Sequence, residues 1–152
     1  MIPTTGRLAA IDFGTVRIGV AVADLEHRIA SPLVNYTRRG DKADAEFFRK
    51  LATQEQITGF VVGLPVHLDG RESQKSTEAR QFGQWLAQTT GVNVVYFDER
   101  FSTAEGEQAL AAADLTKKQR KARLDKLAAQ ILLTAYLEAG CPPSYEPKGI
   151  GS

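Results

Sequence analysis

Two apolar runs stand almost back to back near the start of the chain, Leu8–Phe13 and Ile18–Ala23, separated only by Gly14-Thr15-Val16-Arg17. Four residues cannot lead a strand to a parallel neighbour, which needs a crossover of about a dozen residues or more. The two runs must therefore pair as an antiparallel hairpin. Strand alternation then sets Leu8, Ala10 and Asp12 on one face, and Ala9, Ile11 and Phe13 on the other. An acid is thus placed at the end of an otherwise apolar strand, where an anion is costly unless something positive compensates it. Gly14, Gly19 and Ala21 nearby leave open space, room enough for a metal ion and a phosphate. The plainer alternative is that Asp12 sits just past the strand and accepts turn hydrogen bonds.

The hairpin starts a recognisable order of elements. Ile29 to Tyr36 reads as a third strand, which Pro32 confines to an edge or a bulge. From Asp41 the spacing becomes helical, with Ala45, Phe48, Leu51 and Ala52 on one stripe. Ile57 to Leu64 is a buried strand stopped by Pro65. A polar loop leads to a helix carrying Ala79, Phe82, Trp85 and Leu86, which Gly91 ends. Val92 to Phe97 is a further strand, and Ser102 with Glu105 forms a capping box for the next helix. A last helix runs from about Gln119 to Glu138, ended by Gly140 and Pro142.

The order β-β-β-α-β-α-β-α-α predicts an α/β fold with a five-stranded mixed sheet: three antiparallel hairpin strands, then two parallel ones, flanked by helices. That is the ribonuclease H-like plan, and equally the plan of one actin-like half-domain. A chain of 152 residues suits a single domain, expected over residues 1–140, with a poorly ordered Pro/Gly-rich tail over 141–152. A lone Cys141 and two His exclude an internal disulfide and a Cys/His zinc cage. The start of the chain lacks a secretory pattern, and no apolar run approaches the roughly 20 residues that cross a bilayer. A soluble protein without membrane partners is expected, in the cytoplasm. Its formal charge of +1 does not by itself announce a nucleic-acid binder.

Two more acids are candidates to join Asp12. Asp98 and Glu99 follow a strand and point to opposite faces, so only one of them easily meets Asp12; Asp98 reads better as a turn or supporting residue. Arg100 suits either a carboxylate or a phosphate. In the last helix Leu124, Leu127, Ala128, Ile131, Leu132 and Ala135 form the buried stripe, and Asp125 falls at its margin. Ala128 and Ala129 would let that helix approach the sheet closely; otherwise Asp125 is a surface charge paired with a lysine. Three converging carboxylates repel one another, and divalent cations relieve that repulsion. Hard oxygen donors favour Mg²⁺ or Mn²⁺, and two such ions about 4 Å apart can clamp a phosphodiester. The basic run Lys117-Lys118-Gln119-Arg120-Lys121-Ala122-Arg123 is either a solvated helix face or a contact for a nucleic-acid backbone.

These residues resemble a known family. The matches are Asp12-Phe13-Gly14-Thr15-Val16-Arg17-Ile18-Gly19-Val20-Ala21, Val62-Gly63-Leu64-Pro65 with Asp69-Gly70, Asp98-Glu99-Arg100-Phe101-Ser102-Thr103, and Asp125 to Leu132. In that order they resemble the YqgF or RuvX-like family of pre-16S rRNA nucleases, formerly described as Holliday junction resolvases. The resemblance spans roughly Arg7 to Ala139. It implies an RNase H-like fold and a metal-dependent nuclease acting in 16S rRNA 5′-end maturation. Asp12, Glu99 and Asp125 would be its catalytic, metal-binding acids, with Mg²⁺ or Mn²⁺, two ions, as cofactor. Arg17, Arg100, Lys117, Lys118 and Lys121 are the candidate nucleic-acid contacts. Partners would be precursor rRNA, a four-way DNA junction as alternative, and the pre-ribosome, with the protein a monomer or weak homodimer. Arg71, Glu72 and Lys126 depart from the smaller residues expected there. Two other readings stay open: an actin-like nucleotide-binding module, which lacks a second Gly-rich loop here, and a non-catalytic nucleic-acid-binding module.

Overall fold

The computed structural model describes residues 5–65, 71–100 and 116–145, and for residues 117–126 the backbone alone. The hairpin forms as its short connection requires. Strand β1 (Arg7–Asp12) pairs antiparallel with β2 (Arg17–Asp24), and Asp12 faces Gly19 across the ladder. Gly14 in the turn is needed for close approach, since a Cβ there would lie 2.4 Å from the Arg17 carbonyl oxygen.

Strand β3 (Ser31–Thr37) pairs antiparallel with β2 and forms one edge of the sheet. Its register shifts beside Pro32, as expected of a residue that cannot donate to a ladder. Strand β4 (Gly59–Leu64) lies parallel to β1, and β5 (Asn93–Asp98) lies parallel to β4 on the other edge. The resulting order is β3-β2-β1-β4-β5. The parallel ladder continues one residue past β5, where the Glu99 amide donates to the Leu64 carbonyl at 3.1 Å.

Helices cover both faces. Helix α1 (Asp41–Gln54) and helix α2 (Gln74–Thr90) pack on the face of Ala9, Ile11, Phe60 and Val62. Helix α3 (Lys117–Glu138) packs on the face of Leu8, Ala10, Ala21 and Val61. Ser73 caps α2, accepting from the Ser76 amide while the Ser76 hydroxyl accepts from the Ser73 amide. Gly91 ends α2 in the left-handed conformation at φ 71°, which favours glycine.

Periodicity misjudged two buried faces. On α3 the expected stripe of Leu124, Leu127, Ala128, Ile131, Leu132 and Ala135 is turned by about one residue: Ala129, Leu132, Leu133, Ala135 and Tyr136 are buried, whereas Leu127, Ala128 and Ile131 are only partly so. The stripe expected on α1 began at Ala45 and ran through Phe48, Leu51 and Ala52, but Asp44 is the fully buried member of its first turn. Its carboxylate accepts from the Tyr36 hydroxyl at 2.6 Å, the Arg39 amide at 2.9 Å and Arg38 Nε at 3.2 Å. Burial alone would push the Asp44 carboxyl up. The Arg39 amide, Tyr36 and Arg38 outweigh that and hold it below its ordinary value. The pairing ties the end of β3 to the start of α1 and fixes Arg38.

The tail expected to be loose from Cys141 is held on the sheet as far as Tyr145. Cys141 is buried, the Tyr96 amide donates to Ser144 Oγ at 3.0 Å, and the Tyr145 amide donates to the Tyr96 carbonyl at 2.8 Å. The helix expected after Ser102 and residues 146–152 lie outside the described residues.

Candidate active site

The carboxyl ends of β1 and β5 stand on either side of β4, and the gap between them is bridged over a glycine. Gly63 lies on the α3 face of β4, between the Val62 and Leu64 side chains that point to the other face. A Cβ at Gly63 would sit 2.4 Å from Glu99 Oε1 and 2.8 Å from Glu99 Cγ. The Glu99 side chain therefore lies directly over Gly63, on the same face as Asp12. No larger residue on β4 would let it lie there. On the other flank, a Cβ at Gly19 would meet Asp12 Cβ and Ala129 Cβ, each at 3.6 Å. Small residues thus surround Asp12 on the strand and on the helix above it.

The two acids share a cleft of about 360 Å³, lined also by Phe13, Thr15, Lys75 and Glu78. The Glu99 carboxyl is pushed up to about 7, first by burial and then by the negative charges of Asp12 and Asp98. A second groove of about 480 Å³ starts at Asp12 and runs past Thr15, Arg17 and Asn35 along the hairpin. Asp12 lies where the two meet. Size alone does not select this place. A larger depression, about 540 Å³ between β3 and α1, gathers Arg39, Lys50, Glu46 and Glu55 away from the strand ends.

Asp98 takes the supporting place that alternation assigned to it. It is buried on the opposite face and accepts from the Arg100 amide at 2.9 Å, from Arg100 Nε at 2.7 Å and from Arg100 Nη2. Arg100 is thereby anchored to a carboxylate, the first of its two expected uses, and its Nη2 also donates to the Tyr145 hydroxyl at 3.5 Å. Arg17 opens β2, exposed, on the groove beside Asp12. Asp125 lies in α3 one turn before Ala129, the residue that approaches Gly19, the cross-strand partner of Asp12. Its side chain, with those of Lys117, Lys118 and Lys121, lies outside the described residues. Among the described residues no three His, Cys, Asp or Glu side chains converge. Lys75, Glu78 and Gly63 were not singled out from the sequence for these positions. A glycine inside a buried strand was the one available signal, since it marks close approach of another group.

A mixed five-stranded sheet in this order, with helices on both faces, defines a ribonuclease H-like α/β domain. Two solved structures share the fold: Thermus thermophilus RuvC, at 17% identity and TM-score 0.52 over 91% of this chain and 99% of that one, and T. thermophilus RuvC in complex with a Holliday junction substrate, at 15% identity and TM-score 0.53 over 92% and 99%. A family model described as RuvX, Holliday junction resolvase, matches residues 6–139, and the chain belongs to that family. Its relatives include a Rhodopirellula baltica protein, 48% identical over 90% of this chain and 79% of the relative. Another, from Rhodobacter capsulatus, is 39% identical over 90% and 86%. Both carry the name "Putative pre-16S rRNA nuclease".

Proposed function

We propose that this chain is a divalent-metal-dependent nuclease that hydrolyses a phosphodiester in precursor 16S rRNA, with Asp12, Glu99 and Asp125 as its acidic triad. The observation that carries the reading is the meeting of Asp12 and Glu99 over Gly63, where burial and like charge push the Glu99 carboxyl up to about 7. A site that concentrates negative charge in this way fits a divalent cation. Its donors are hard carboxylate oxygens, which suit Mg²⁺ or Mn²⁺. Asp12, Glu99 and Asp125 would hold two such ions. When bound, they supply an activated water and stabilise the leaving oxygen.

The chain's own residues do the remaining work. Asp12 fixes the reaction point at the junction of the two grooves, and Glu99 completes the cradle from across β4. Arg17 meets a phosphate along the hairpin groove, and Lys75 meets one at the start of α2. Lys117, Lys118 and Lys121, before Asp125, extend the contact to the substrate backbone. Arg100 acts through Asp98, holding the turn that carries Glu99. The protein works in the cytoplasm on the pre-ribosome, as a monomer or weak homodimer. No described helix is long and apolar enough to cross a membrane.

The test compares wild type with Asp12→Asn on precursor rRNA and on a four-way DNA junction, each with Mn²⁺, Mg²⁺ or EDTA. Metal-dependent cleavage of the rRNA is expected. Asp12→Asn should reduce it by more than the roughly 100-fold that loss of an outer-shell partner can cost. Equal activity of the variant would overturn the site. Cleavage of the junction alone would reassign the substrate to DNA, the activity named in the family's description.

A further inference from the structure

A third cleft opens beside the acids on the opposite face of β1. It measures about 250 Å³ and shares Phe13, Thr15 and Glu78 with the carboxylate cleft. Its volume is below the roughly 300–1,000 Å³ of pockets for drug-sized ligands, and it suits one flat ring system. Its floor is aromatic: Phe13 and Phe82 lie 4.9 Å apart, and Phe82 lies 5.3 Å from Trp85. Arg38 lies over these rings, its guanidinium carbon 5.5 Å from the Phe13 centroid and 5.9 Å from that of Phe82. The guanidinium cannot swing away freely, because Nε donates to buried Asp44. It is a fixed cationic plane over the Phe13 and Phe82 rings.

The rest of the lining is acceptor-rich. Asp41 and Glu78 bring carboxylates, and Gln81 brings an amide. With Arg38 already paired to Asp44, the local charge disfavours a phosphate. A neutral ligand that stacks on its faces and donates N–H groups from its edge is favoured instead. Resting on the nuclease reading above, we infer that this cleft is a subsite for one unpaired guanine base next to the phosphate held at Asp12. Aromatic and guanidinium planes stack with unpaired bases. Guanine presents N1–H and N2–H donors on one edge, the edge that Asp41, Glu78 and Gln81 can accept from. A base paired in a duplex has that edge occupied.

Trp85 is the only tryptophan of the chain, so its emission reports on the cleft directly. The full chain in EDTA is titrated with five-nucleotide strands carrying guanine, adenine or an abasic position at the centre, in ribose and deoxyribose forms. The guanine strand should quench Trp85 saturably and bind about tenfold more tightly than the abasic one, the scale of one stacked base. Of the two sugar forms, the tighter identifies the strand that the cleft serves. Asp41→Asn combined with Gln81→Ala should weaken guanine binding several-fold, abolish the preference over adenine and leave abasic binding unchanged. Trp85→Phe keeps an aromatic floor; with the anisotropy of an end-labelled strand as the readout, it should still bind guanine more tightly than the abasic strand. Equal binding of guanine and abasic strands, or indifference to the double substitution, would overturn the subsite. The titration needs no cleavage, so its outcome is read separately from that of the cleavage assay. Metal-dependent cleavage without base-dependent quenching would sink the subsite alone.

Discussion

The two faces of this sheet are built by opposite means. On the α1/α2 face, large rings fill the space: Phe48 lies 5.6 Å from Phe82 and 6.3 Å from Trp85, edge to face. On the α3 face near the strand ends, the space is left open by Gly19, Gly63 and Ala129, and polar side chains take it. Aromatic packing gives a rigid wall, because interlocked rings have few alternative rotamers. Small residues let charged groups lie directly on backbone. The strand β1 separates the two, with Phe13 on one side and Asp12 on the other. The contrast teaches that tight aromatic packing and buried charge are divided between faces that meet at a single dipeptide.

The largest effect should come from cutting into the aromatic wall. Phe48 is fully buried and touches the rings of Tyr36, Phe47, Phe82 and Trp85. Phe48→Ala should cost about 3–5 kcal/mol, the range for emptying a large aromatic site. Urea titration followed by Trp85 emission measures it. If the face relaxed to a loss below about 1 kcal/mol, the wall would not be rigid and the contrast would fail.

A matched pair of glycine substitutions sharpens the comparison. Gly63→Ala puts a methyl group 2.4 Å from Glu99 Oε1 on the open face. Gly83→Ala puts one 2.6 Å from the Tyr96 ring on the packed face. Both should lose about 1–3 kcal/mol through overcrowding, with Gly83→Ala recovering part of it through better helix propensity. Their activities should separate. Gly63→Ala displaces Glu99 and should reduce cleavage about 10–100-fold, as a misplaced metal-site partner does. Gly83→Ala should cleave at close to the wild-type rate in any condition where it is folded. Equal activity losses would mean that the two faces are not functionally distinct.

Much of this was legible in the sequence. The four-residue link fixed the hairpin, and period-2 alternation put Asp98 and Glu99 on opposite faces, while the choice of Glu99 to join Asp12 came from the family resemblance. Pro32 fell at the irregular register of an edge strand. The illegible part was non-local. That Gly63 makes room for Glu99 depends on β4 lying between β1 and β5, and spacing along the chain does not encode a crossover. Asp44 was missed because helical periodicity ranks an acid as exposed. Only the partners supplied by Tyr36, Arg38 and Arg39 make its burial tolerable. Lys75 and Glu78 were unreadable for the same reason: α2 reaches the cleft only once it packs.

The smallest expected effect tests whether the open face stores electrostatic cost. Burial and the neighbouring acids push the Glu99 carboxyl from its ordinary 4.5 up to about 7. Between those values the folded protein keeps a proton that the unfolded chain has lost. Stability therefore falls as pH rises through this window, and the cost is fully present above about 7 and absent below about 4.5. Glu99→Gln has no such titration. In metal-free protein the variant should be more stable than wild type by about 1–2 kcal/mol at pH 8, less than the full shift because Glu99 keeps some contact with solvent. The difference should close near pH 4.5, where wild-type Glu99 is neutral as well. Adding Mn²⁺ at pH 8 should reverse the ranking, since cation binding to the folded state stabilises only the chain that retains the carboxylate. Thermal melts of both proteins across pH, with Mn²⁺ and with EDTA, measure all three arms. Parallel curves throughout would show that Asp12 and Glu99 carry no mutual cost, and the open face would then need no cation to balance it.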